Sequence, residues 1–125
     1  MIEITYADAL DGLKALVAEA GEDFIYSKRE ASDGYGGRCV YVFEGKPDCI
    51  VGKYLAKVGV SLDELKKADG RGFGDPADAL LDRLEFNGVI NVEPKAIVLL
   101  QEAQYHQDQG NTWGCALRRA EARTS

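Results

Sequence analysis

Helix punctuation sets what the second half of this 125-residue chain can become. Pro47, the capping box Ser61-Leu-Asp-Glu64, the pair Asp75-Pro76 and Pro94 each carry a start signal, while Gly59, Gly70, Asn87-Gly88 and Gly110 each carry a stop. Starts of this kind work because proline is preset for the first helical turn, where its missing N–H costs nothing, and because a capping side chain occupies otherwise orphaned N–H groups. Stops work because glycine enters the left-handed conformation that ends a helix. The spacing predicts helices opening at Pro47, Ser61, Asp75-Pro76 and Pro94, with a further one after Gly110. The run VINV between Gly88 and Pro94 predicts a short strand.

The first half is written in the other period. IEI at 2–4 reads as a short strand, and Thr5-x-x-Asp8 then resembles a capping box that opens a helix with Leu10, Leu13, Leu16, Val17 and Ala20 at helical spacing, stopped by Gly21. FIYSKR at 24–29 and RCVYVFE at 38–44 are rich in β-branched and aromatic residues and read as strands joined by the loop ASDGYGG. Alternation along the second of these puts Val40 and Val42 on one face, expected against helix 7–20, and Cys39, Tyr41 and Phe43 on the other. Together the elements predict an α+β fold: a small three- to four-stranded antiparallel or mixed sheet with a helical C-terminal half. At 46% hydrophobic residues, one globular domain over 1–125 can bury a core of its own.

Charge narrows the partners. A net charge of −6 argues against a nucleic-acid phosphate surface, which needs clustered Lys and Arg. The longest apolar runs, such as AIVLL at 96–100, are too short to span a bilayer, and MIEITYADALDGL lacks the features of an export signal, so no membrane partner and a cytoplasmic location are expected. Cys39, Cys49 and Cys115 are odd in number and widely spaced, which fits unbridged thiols in a reducing compartment.

EGKPDCIVGKYLAKVGVSLDEL, residues 44–65, invites two chemical readings. Cys49, in the first turn of a helix opened by Pro47, would feel the positive end of the helix dipole, as a nucleophilic or redox thiol requires. Against this, Asp48 adjoins it, and the single histidine, His106, lies on a distant helix. Cys49, Gly52 and Ala56 also form a small-residue stripe suited to close packing. The second reading is a helix-turn-helix over 54–65, but only two residues separate Ala56 from Gly59 where that motif has three. The second helix would also open on Asp63 and Glu64, the wrong sign for DNA.

No metal or cofactor is expected. Cys39, Cys49, Cys115 and His106 show no paired ligand spacing, and the glycine loops DGYGGR and DGRGFGDP match no phosphate-binding pattern, so both read as turns. In the last segment, Trp113 reads as a core plug on a helix capped by Asn111 or Thr112, with Arg118, Arg119 and Arg123 toward its C-terminal end. Before it, the stripe Ile97, Leu100, Ala103, Gln107 turns polar. Gln101, Gln104, Tyr105, Gln107 and Asp108 therefore form a candidate partner-binding surface, rich in amides around one tyrosine.

PDCIVGKYLAKVGVSLDEL together with VEPKAIVLLQEAQYHQDQGNTWGCAL resembles a pattern in small acidic proteins of actinobacteria and their phages, across roughly residues 38–120. The resemblance implies a fold and a bacterial or phage setting and carries over no catalytic residue. The function expected is that of a cytoplasmic accessory protein, without enzymatic activity, that binds another protein, a host protein if the chain is phage-encoded. The alternatives are a small cysteine-dependent enzyme or redox protein using Cys49 and a nucleic-acid-binding helix-turn-helix variant.

Overall fold

A computed structural model describes residues 1–26, 41–43, 45–69 and 76–124. The elements run β1 (Ile2–Ile4), α1 (Tyr6–Ala20), β2 (Val42–Phe43), β3 (Lys46–Pro47), α2 (Ile50–Lys57), α3 (Leu62–Ala68), α4 (Ala77–Phe86), β4 (Ile90–Val92), α5 (Pro94–Asp108) and α6 (Trp113–Thr124). Among the described residues the protein is mostly helical. Its sheet content is two separate pairs: a parallel one of β1 with β4, register Ile2 to Ile90 and Ile4 to Val92, and an antiparallel one of β2 with β3. Among the described residues the expected three- to four-stranded antiparallel or mixed sheet is replaced by two two-stranded pairs, one parallel and one antiparallel.

Local signals explain most helix ends. At α1 the Thr5 side chain accepts from the Asp8 N–H, and the Asp8 carboxylate accepts from the Thr5 N–H. Ser61 and Glu64 close the same reciprocal box at α3. Pro94 occupies the first turn of α5, and Gly59, Gly88 and Gly110 follow their helices with φ of +111°, +75° and +89°. Two expected starts move. Pro47 belongs to β3, and α2 begins only at Ile50 with Cys49 as its cap, because residues 46–47 pair with 42–43 first. Pro76 is itself the cap of α4, its carbonyl accepting from Leu80 N–H at 3.1 Å.

Parallel pairing places β4 beside β1, and the crossover brings the start of α5 to the start of α1. Glu93 N–H donates to Ile4 O at 3.0 Å, while its carboxylate accepts from Tyr6 N–H at 2.9 Å. From there α5 runs through the protein, packing on α1, α2, α4 and, most extensively, α6. Ala96, Leu99, Leu100 and Ala103 on α5 are fully buried, and they meet Leu13, Leu55, Leu80, Leu84 and Trp113 in a single core.

The strand expectations fare unevenly. Phe24, Ile25 and Tyr26 are not strand residues. Phe24 lies at the start of α6, where its carbonyl accepts from Trp113 N–H at 2.8 Å and its ring meets the Trp113 ring edge-on at 4.6 Å, while the Tyr26 hydroxyl donates to Asp48 ahead of α2. In the 38–44 segment Tyr41 is fully buried and Val42 is half-buried and packed against the core, so the tyrosine turns inward as well as Val42. Gly52 of α2 sits directly on Tyr41: a Cβ there would lie 2.6 Å from Tyr41 O. Val40 and the loop 31–37 lie outside the described residues, as do Gly70 and Asp75.

Candidate functional site

The C-terminal half of α5 has two unlike sides. Its inward side extends the apolar stripe Ala96, Leu99, Leu100, Ala103 with Gln104 and Gln107, which are 3% and 0% exposed. These two glutamines, expected at a partner surface, belong to the interior. Gln107 Oε1 accepts from Ile50 N–H at 2.9 Å and from Trp113 Nε1–H at 3.2 Å, and Gln107 Nε2 donates to Asp108 at 3.0 Å. Gln104 Nε2 donates to the Tyr41 hydroxyl at 2.7 Å. Buried amides survive because each finds such partners. Together they bind the start of α2, the Tyr41 segment and the start of α6 to one helix.

Cys49 lies at this hub, fully buried and disulfide-bonded. Its sulfur therefore has no proton to donate, and the 3.8 Å approach to Gln104 Oε1 is a packing contact. The expectation of unbridged thiols fails at this residue, and with it the cysteine argument for a reducing compartment. A bridged sulfur also lacks the thiolate that the nucleophile reading requires. Cys115 is free and half-buried, receiving Arg119 Nε–H at 3.4 Å. Cys39 lies outside the described residues.

On the outward side, Gln101 and Tyr105 are exposed and Asp108 is half-buried. Val98, which sequence reading passed over, completes the stripe: it is 40% exposed and Tyr105 56%. Positions 98, 101 and 105 share one helix face, and the two ends are about 10 Å apart at 1.5 Å rise per residue. The detectable signal was the spacing of Val98 from Gln101 and Tyr105.

Next to this stripe, α5 and α6 border a groove of about 550 Å³ lined by Glu102, His106, Arg119, Ala122 and Arg123. Glu102 is shared, 3.5 Å from His106 Nε2 and 3.5 Å from Arg123 Nε. The His106 ring in turn packs edge-on against Tyr105 at 5.2 Å between centroids, joining groove and stripe into one surface. The Glu102–His106 step of four residues was present in the sequence, but its arginine neighbours come from another helix.

Other candidate chemistry does not assemble. Among the described residues no group of three or more His, Cys, Asp or Glu comes together to hold a metal ion. No helix described is long and apolar enough to cross a membrane. In the helix-turn-helix segment, Glu64 is engaged in its capping box and Asp63 is exposed at the start of α3, presenting negative charge at the end where a recognition helix meets DNA. Compared with known proteins, the chain matches no family model, no curated protein and no solved structure.

Proposed function

We propose that this chain works by binding another protein through the outward face of α5, with Val98, Gln101 and Tyr105 as the contact stripe. The observation that carries the proposal is the exposure of Val98 and Tyr105, a large apolar and an aromatic side chain, beside exposed Gln101 on one face of α5. A helix that buries two amides, Gln104 and Gln107, while leaving a valine and a tyrosine in water has its side chains arranged for a second contact. Tyrosine suits that contact, offering large area with one polar tip at low entropic cost. The resemblance to small actinobacterial and phage proteins makes a bacterial host protein the first partner class to try.

The test is a double variant, Gln101→Ala with Tyr105→Ala, used as bait beside the unaltered chain. Both side chains are exposed, so the far-ultraviolet spectrum and melting temperature should be unchanged. Binding to the captured partner should weaken by at least about 2 kcal/mol, the scale of an interface hot spot. Unchanged affinity in a folded double variant would exclude this face.

A further inference from the structure

We propose that the α5–α6 groove is a receptor for an acidic side chain, so that the partner segment docking on this face carries an Asp or Glu next to an apolar residue. The inference rests on the binding-face reading above and gives its partner a chemistry.

Two guanidinium groups and one imidazole surround one carboxylate in the groove, on a protein whose net charge is −6. Local positive charge in an acidic protein is the signature of a complementary acidic contact. The arginines also have capacity to spare. Arg119 uses Nε on the Cys115 sulfur, and its two terminal nitrogens have no partner among the described residues. Arg123 meets Glu102 through Nε only, with its side chain 71% exposed. A guanidinium fork of this kind matches a carboxylate with two parallel N–H donors.

Glu102 decides between anions. With its carboxylate beside the two guanidinium groups, the groove keeps a single net positive charge, which matches a monoanionic carboxylate, whereas a phosphate dianion leaves one charge uncompensated and costs more to take out of water. The apolar neighbour follows from position: Tyr105 packs against His106, so a chain whose carboxylate enters the groove passes over Tyr105 toward Val98. A second copy of this chain, itself acidic, is a competing occupant that the test separates.

The test pans a random twelve-residue peptide display library on the folded protein, then measures each selected peptide by fluorescence anisotropy. Selected peptides should share an Asp or Glu adjacent to an apolar residue. They should bind Arg119→Glu at least about tenfold more weakly, the effect of juxtaposing like charges at an interface. Arg119→Gln, which cannot repel, should give a smaller loss and keeps the test valid if charge reversal disturbs folding. Free glutamate should compete better than inorganic phosphate at equal ionic strength.

The outcomes separate the two proposals. Peptides without acidic residues that still depend on Tyr105 overturn the acidic receptor and leave the binding face standing. Peptides indifferent to both Arg119 and Tyr105 overturn both. Better competition by phosphate overturns the carboxylate assignment. Concentration-dependent dimerisation in sedimentation velocity that Arg119→Glu abolishes makes the occupant a second copy and overturns the partner assignment.

Discussion

Gln107 accepts a hydrogen bond from the backbone N–H of Ile50, 57 residues earlier, at 2.9 Å, and so does at the start of α2 what a capping side chain does for most helices. Cys49, the residue at the cap position, makes no side-chain capping bond. Replacing Gln107 by Leu keeps the bulk and removes the acceptor, stranding both the Ile50 N–H and the Trp113 indole N–H in the interior. Each stranded donor costs about 1–3 kcal/mol, so Gln107→Leu should destabilise by about 2–6 kcal/mol in urea unfolding. A loss below about 1 kcal/mol, the worth of one ordinary hydrogen bond, would show that water replaces the amide.

Gly52 offers a second test of the same hub. A Cβ at this position meets the backbone carbonyl of Tyr41, which cannot rotate away. Gly52→Ala should therefore destabilise by about 1–3 kcal/mol despite alanine's better helix propensity. A melting temperature at or above the original would mean that the Tyr41 segment yields freely.

These two residues also show what sequence can and cannot reveal. The capping boxes at Thr5 and Ser61 are readable because all their partners lie within three residues. The small-residue stripe announced a close approach at Cys49 and Gly52, though not what would approach. Pro47 misled because the β2–β3 pairing overrode its helix-start preference. Gln104 and Gln107 misled because an amide is read as polar until its partners are known, and those partners, Tyr41 and Ile50, are 63 and 57 residues away. Their positions did continue the buried series 96, 99, 100, 103, so helical period was the better guide than polarity. The α5–α6 groove has no local signature, since Arg119 and Arg123 come to line it with Glu102 and His106 only when the helices pack.

Cysteine chemistry supplies a direct check on the hub. Treating the native, unreduced protein with iodoacetamide at neutral pH should alkylate Cys115, which is free and half-buried, and leave Cys49 unmodified. Cys49 should become reactive only after reduction and unfolding, because its sulfur is both bridged and fully buried. Peptide mass mapping reads both sites at once. Alkylation of Cys49 in the native, unreduced protein would establish a thiol there and restore the nucleophile reading.

Tyr54 is fully buried with its ring against Gly12, and its hydroxyl has no hydrogen-bond partner among the described residues. Burial, with a smaller contribution from the Asp8 carboxylate, pushes its pKa up from 10.0 to about 12. The folded state therefore holds this proton more tightly than the unfolded state does. Stability from this group is complete below pH 10 and declines as pH rises from 10 towards 12, by at most on the order of 2–3 kcal/mol. Tyr54→Phe removes both the ionisation and the stranded hydroxyl while keeping the ring. It should raise stability at neutral pH by about 1 kcal/mol and flatten the decline between pH 10 and 12. Urea unfolding at pH 7, 10 and 11.5 measures both effects. A variant that is less stable at pH 7 would show that the hydroxyl is held by a bound water the fold depends on, and an unchanged alkaline slope would assign the decline to other groups.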